Sequence, residues 1–255
     1  MSHPLFSLKG RTALITGSSQ GIGETLAHGL AEAGATIIVN GRNEGKVAAA
    51  AGRLSETGAT VHELPFDVTD PEAVSAAIDG FEDTTGAIDI VINNAGMQHR
   101  APLEEFPHED FQRLMTTNVT SVFLVAQACA RHMIKRGRGK IINIASIQTA
   151  LARPTIAPYT ASKGAVANLT KGMATDWAPK GLNANAIAPG YFDTPLNAAL
   201  VADKDFTAWI GKRTPAGRWG QLPELQGAAI FLASDASAYV NGQTLFVDGG
   251  MSACL

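Results

Sequence analysis

Short runs of aliphatic and β-branched residues recur along the chain, separated by longer stretches whose apolar positions repeat at helical spacing. The short runs, at 12–15, 36–39, 61–64, 88–92, 140–144, 184–188 and 244–247, predict strands. The longer stretches, at 22–33, 44–55, 71–81, 111–135, 161–178 and 223–232, predict helices. Strands that are apolar almost throughout and alternate with helices must be covered on both faces. The pattern therefore predicts a doubly wound α/β fold around a parallel sheet. No linker, repeat or low-complexity tract divides the 255 residues, a length that suits one domain over 1–255. Residues 191–214 depart from the alternation as a longer excursion between strand and helix, and are the predicted substrate lid.

With 45% hydrophobic and 17% charged residues, the composition is that of a globular protein and excludes a disordered chain. The formal net charge of −3 supplies no basic field, so nucleic acid is not an expected partner. The densest basic run, KRGRGK at 135–140, reads as the end of a helix followed by a turn. Cys129 and Cys254 are far apart and support neither a disulfide framework nor a thiolate zinc site. The six histidines show no HExxH pattern, so no metal is expected. The N-terminal stretch MSHPLFSLKG lacks a charged leader followed by a long apolar run, and no segment of about 18 apolar residues occurs. A cytoplasmic protein with no membrane partner is expected.

Two features point to chemistry. The first predicted strand runs into Gly17-Ser18-Ser19-Gln20-Gly21-Ile22-Gly23 and then a helix. Glycines at such a turn let backbone amides and the positive helix end approach a pyrophosphate, so a dinucleotide fits. No GxxxxGK[ST] pattern occurs, which argues against a nucleoside triphosphatase. Farther on, Tyr159 and Lys163 stand four apart on one predicted helix face, and Ser146 follows a predicted strand where α/β sheets place their ligands. Forming a tyrosinate near pH 8 costs roughly 2 to 3 kcal/mol. A lysine cation at about 4 to 5 Å returns roughly 3 to 4 kcal/mol at an effective dielectric near 20. The pair thus suits general acid/base work.

Thr16 to Gly23, Asn93-Asn94-Ala95-Gly96, Asn118, Ser146, Tyr159xxxLys163 and Pro189-Gly190 occur in the order and spacing of short-chain dehydrogenase/reductases, which the chain resembles over essentially its whole length, through Asn241-Gly242-Gln243 and Asp248-Gly249-Gly250. The resemblance implies a Rossmann-like sheet of seven strands, a homotetramer, and hydride exchange between NAD(P) and an alcohol or ketone carbon. It assigns acid/base duty to Tyr159, orientation of the substrate oxygen to Ser146, the nicotinamide ribose to Lys163, and a water-linked proton path to Asn118. Cofactor contacts are implied for Gly17, Ser19, Gln20, Gly21, Ile22, Gly23, Asp67, Val68, Asn94, Ala95, Gly96, Tyr159, Lys163, Pro189, Gly190 and Thr194. Asn93 and Asn94 also suit the tying of neighbouring strands. The chain reads GLNAN at 181–185 where many members read GIRVN, which weakens the contact where that strand begins.

After the second predicted strand the sequence is Asn40-Gly41-Arg42. The aspartate of NAD-preferring members is missing at Gly41, leaving Arg42 free for a 2′-phosphate; NADP is the expected cofactor, with NAD possible as a second. Segments 101–106, 151–154 and 213–220 resemble the branch of the family that acts on gluconate, implying a sugar-acid substrate in the pair D-gluconate and 5-keto-D-gluconate. Such a substrate needs a cation away from Tyr159. Arg100 is the candidate, with His99 as a hydrogen-bonding neighbour and Arg153 in reserve. Pairing of Arg100 with Glu104 or Glu105 on the surface is the plain alternative. Reduction of 3-oxoacyl groups on a carrier protein, or of another polyol or keto-sugar, is the rival enzymatic reading. A dinucleotide-binding sensor is the non-enzymatic one.

Overall fold

Near-continuous aliphatic strands are stable only between two layers of helix, and that is how the chain is built. The computed structural model describes residues 3–194 and 197–254. The strands are β1 (Thr12–Ile15), β2 (Thr36–Val39), β3 (Val61–Glu63), β4 (Ile90–Asn93), β5 (Gly139–Ile144), β6 (Leu182–Pro189) and β7 (Thr244–Val247). They form one parallel sheet in the order β3-β2-β1-β4-β5-β6-β7. The chain winds outward from β1 to β3 and then returns to place β4 beside β1. The connections after β1 and β4 therefore leave in opposite directions and open a crevice at their carboxyl ends.

Successive strand residues point to opposite faces, and each face has its own core. On one, Leu14, Ile38 and Val91 pack with residues of α3 (Pro71–Thr84), α5 (Ser121–Arg136) and α6 (Ala157–Trp177), among them Ile78, Val125 and Val166. On the other, Ile15, Ile37 and Ile92 meet α1 (Gly21–Glu32), α2 (Glu44–Ser55) and α9 (Gln226–Ala233) through Leu26, Leu30, Val47, Leu54 and Leu232. Each fully buried Leu or Ile contributes about 2 kcal/mol of hydrophobic stabilisation. Among the described residues, no helix is long and apolar enough to cross a membrane.

Three expectations change. The helix predicted over 111–135 is divided into α4 (His108–Met115), a π-helical turn at Thr116–Thr120, and α5. The run Thr-Thr-Asn-Val-Thr has weak helix propensity, and Ser121 donates its hydroxyl back to the Thr117 carbonyl. The excursion at 191–214 contains α7 (Ala198–Ala202) and α8 (Lys204–Arg213), the latter capped by the Asp203 carboxylate; Pro195 and Leu196 lie outside the described residues. Third, the start of β6 is well held. The Asn241 side chain accepts from the Ala184 amide at 2.7 Å, Asn185 bonds the Val240 carbonyl and the Gln243 amide, and Asn183 accepts from Lys140 Nζ at 2.9 Å. The GLNAN sequence replaces one kind of support with side-chain amide bonds. The basic run ends α5 at Arg136, with Gly137 in the left-handed cap conformation.

Candidate active site

The turn after β1 is shaped by what a side chain would strike. Gly17 has φ +62°, and a Cβ placed there would lie 3.0 Å from Ala95 Cα, so only glycine lets the two loops approach. Behind the turn, Asn40 accepts from the Gly17 amide and donates to the Leu64 and Phe66 carbonyls. Asn94 donates to the carbonyls of Thr16 and Gly17, and Asn93 donates to Asn143 at 2.8 Å, which ties β4 to β5. Gln20, the residue preceding α1, makes no side-chain cap bond, which leaves the first amides of that helix without a capping oxygen. This is a cradle suited to a pyrophosphate.

A cavity of about 1170 Å³ extends from this turn along the carboxyl ends of the strands. Its lining includes Gly17, Ser19, Gln20, Gly21, Ile22, Arg42, Asp67, Val68, Asn94, Ala95, Gly96, Ser146, Tyr159, Lys163, Pro189, Gly190 and Thr194. Arg100 and Arg153 line it too. Three of the expected residues do not. Gly23 is buried inside α1, where a Cβ would lie 2.5 Å from the Asn94 side-chain nitrogen, so it serves helix packing rather than contact with a ligand. His99 turns away, with Nε2 3.4 Å from Asp110 and its ring edge-on to Phe106, so it is not placed as a hydrogen-bonding neighbour for a bound molecule. Asn118 lies behind the wall. Its Oδ1 accepts from the Met97 amide at 2.8 Å, while Nδ2 donates to the Met97 carbonyl and the Ser162 hydroxyl.

Tyr159 and Lys163 share the cavity-facing side of α6, and Ser146 follows β5 as the cap of a short turn, accepting from the Gln148 amide at 3.2 Å. Burial raises the pKa of the Tyr159 phenol. A hydrogen bond from Ser146 opposes that rise, and Tyr191 adds slightly to it. Burial pushes Lys163 down to about 8. Its Nζ donates to the Ile144 carbonyl at 2.7 Å and lies 5.7 Å from the Tyr159 ring centroid. Burial is thus the larger influence on the phenol, whose pKa is raised rather than lowered in the protein alone.

Arg42 is not free. Its guanidinium is 3.7 Å from Asp67, although its side chain is 77% exposed. Burial opposes ionisation of Asp67, but the Thr69 amide and hydroxyl, with Arg42, outweigh it and hold the carboxyl below its usual range. Among the described residues, Arg100 bonds only the Gln98 side chain, not Glu104 or Glu105. Partial desolvation, and then the charge of Arg153, lower its pKa.

Gln148 and Tyr191 also line the cavity, beyond the residues that the sequence pattern singles out. Gln148 is buried beside Ser146 with its Oε1 unpaired among the described residues. Tyr191 packs edge-on to Phe206, Trp209 and Trp219; burial raises its phenol, against the charges of Arg153 and Arg100. The position of Tyr191 directly after Pro189-Gly190, at the start of the excursion, was the available signal for it.

Comparison with known proteins places this geometry. A family profile described as enoyl-(acyl carrier protein) reductase matches residues 17–252. The chain is 59% identical to a gluconate 5-dehydrogenase of Gluconobacter oxydans, covering all of both chains. It is 51% identical to a 5-keto-D-gluconate 5-reductase of Escherichia coli over 98% of each. A crystal structure of a gluconate 5-dehydrogenase from Burkholderia cenocepacia, in complex with NADP and tartrate, superposes with a TM-score of 0.97 at 62% identity, covering 98% of both chains.

Proposed function

The chain belongs to the short-chain dehydrogenase/reductase family, and from that premise we propose that it interconverts D-gluconate and 5-keto-D-gluconate with NADP(H). The observation that carries the reading is the single cavity wall that joins the glycine turn, Ser146, Tyr159 and Lys163 to two arginines lacking carboxylate partners among the described residues. The Gluconobacter and Escherichia relatives carry the corresponding activities in their names, and the Burkholderia relative binds NADP.

The cradle at Gly17 and the uncapped start of α1 fit a dinucleotide pyrophosphate, with Asp67, Val68 and Arg42 toward the adenosine end and Pro189, Gly190 and Thr194 toward the nicotinamide. When bound, the nicotinamide supplies or accepts the hydride. The chain's own residues handle the proton and the fit. Ser146 holds the substrate oxygen beside the Tyr159 hydroxyl. Tyr159, kept neutral by burial, donates its proton to a carbonyl oxygen, or recovers one from an alcohol in the reverse direction. Lys163 holds the nicotinamide ribose, with its Nζ 5.7 Å from the Tyr159 ring centroid. Asn118 braces the loop at Met97 and the helix at Ser162 on either side of the site, and in this reading the π-helical turn that carries it also supports the water-linked proton path. Arg100 takes the substrate carboxylate. Within 191–214, the described residues 191–194 and 197–214 serve as a lid over the substrate end.

The family profile's description speaks for an acyl-thioester substrate, but arginines and Gln148 at the substrate end favour a charged polyhydroxy chain. A cytoplasmic homotetramer belongs to the same reading; exposed Phe111 and Phe123 and the edge-strand Leu245 are apolar surfaces that assembly would cover. The test is NADPH oxidation against 5-keto-D-gluconate, a neutral keto-sugar and acetoacetyl thioester in parallel. Turnover of the keto-acid well above the other two is expected, and preference for the thioester would reject the proposal.

A further inference from the structure

Among the described residues, Arg11, Arg42, Arg53, Arg113, Arg136, Arg138 and Arg218 each lie within ion-pair distance of a carboxylate. Arg100, Arg131, Arg153 and Arg213 do not; Arg131 bonds Gln127 and Arg213 bonds the Met251 carbonyl and Cys254, whereas Arg100 and Arg153 line the cavity that holds Tyr159. They come from different loops, one after β4 and the other after β5. Desolvation first, and then the charge of Arg153, lower the pKa of Arg100, and Tyr191 opposes them. Placing two like charges together without a counter-ion costs free energy, and an anion bound between them recovers it.

The two loops are fastened to each other. The Ala101 amide, next to Arg100, donates to the Thr155 carbonyl at 3.1 Å. Thr155 has φ +71° and, among the described residues, is the one non-glycine in the left-handed region. A β-branched residue is strained there, so the surroundings must impose the conformation. The means are visible: Pro154 restricts Arg153 to extended backbone, and Ile156 is buried on the other side. Arg153 in turn lies over the Phe206 ring, 5.7 Å from its centroid. Its guanidinium is positioned by both a stiff loop and an aromatic wall.

We propose that Arg100 and Arg153 act as one clamp on the substrate's carboxylate, and that Thr155 is the positioning residue that sets their separation through its bond to Ala101. This rests on the sugar-acid reading above and narrows it. The ligand is a polyhydroxy chain ending in one carboxylate that both guanidinium groups share, with the unpaired Gln148 Oε1 accepting from a hydroxyl.

The experiment is titration calorimetry of D-gluconate and of D-glucitol, its uncharged counterpart, into the full chain loaded with NADPH, which cannot accept a hydride from either, with steady-state kinetics alongside. Arg153→Ala is expected to weaken gluconate binding about tenfold or more, leaving glucitol binding and the KM for NADP within about twofold. In the double variant with Arg100→Ala, the losses are expected to fall short of the product of the single effects, because both groups hold one anion. Thr155→Val is expected to raise the gluconate KM about threefold or more with kcat little changed, whereas Thr155→Asn and Thr155→Gly, which tolerate the left-handed region, keep it near wild type. Equal weakening of gluconate and glucitol by Arg153→Ala, no effect on either, or a Thr155→Val variant indistinguishable from Thr155→Asn overturns the proposal. A wild type that binds gluconate through both arginines without oxidising it overturns the activity alone. A wild type that oxidises it independently of Arg153 overturns the clamp alone, and one that does not bind it overturns both.

Discussion

Asn118 donates to the hydroxyl of Ser162 at 3.1 Å, and that hydroxyl donates to the Tyr159 carbonyl at 2.7 Å. The π-helical turn between α4 and α5 is thereby joined to the first turn of the helix that carries both Tyr159 and Lys163. The same amide closes two bonds with the Met97 backbone.

Replacing Asn118 by Ala strands several buried polar groups, each worth about 1 kcal/mol or more. The expected result is a loss of about 2 to 4 kcal/mol of unfolding free energy together with a fall in kcat of about tenfold or more. Urea unfolding and initial rates on the same preparation check it. Unchanged kcat at reduced stability would confine Asn118 to a structural role.

The depressed pKa of Lys163 gives stability a pH dependence. Its ordinary value is 10.5 and burial brings it to about 8, so between those limits the unfolded chain holds a proton that the folded chain has released. Stability of the cofactor-free protein should therefore rise with pH through that window, and the cost of the buried cation is present in full below pH about 8. Lys140, also brought to about 8 by burial, adds a rise of the same sign. Lys163→Met removes one of the rising contributions while the buried Cys129 thiol, raised above its ordinary value, opposes the rise equally in both proteins, so the variant's stability should climb less between pH 8 and 10.5 than that of the wild type, with no NADP-linked activity. An identical slope in the two proteins would show that Lys163 is not desolvated.

Arg42 is mostly exposed yet within reach of Asp67. A 2′-phosphate would share or displace that pairing. Arg42→Ala is expected to raise the KM for NADPH by about tenfold while changing that for NADH less than about twofold. Equal effects on the two cofactors would remove Arg42 from phosphate recognition.

Much of this arrangement was legible in the sequence because its causes are local. The glycines at 17 and 21 follow β1 directly, and the spacing of four between Tyr159 and Lys163 puts both side chains on one face of α6. The rest depends on partners distant along the chain. His99 is drawn from the cavity by Asp110 and Phe106, and Arg42 is engaged by Asp67, neither of which follows from composition or periodicity. Gln148 is an ordinary glutamine until Tyr191 is folded against it. The helix at Lys204–Arg213 carried a readable start in Asp203, which accepts from the amides of Asp205 and Phe206, but its weakly apolar sequence masked the period. The π-helical turn had only a cluster of β-branched residues to announce it.

If the Tyr159 hydroxyl passes the proton in an NADP-linked reaction on a sugar acid, removing that one oxygen must stop the reaction. Tyr159→Phe leaves the ring in the cavity wall and deletes the group that Ser146 hydrogen-bonds. The measurement is kcat for D-gluconate oxidation, taken beside the dissociation constant for NADPH on the same protein. The expected kcat is lower by about two to four orders of magnitude, with NADPH binding within about threefold of wild type. A variant that kept more than about a tenth of the wild-type rate would contradict proton transfer by Tyr159.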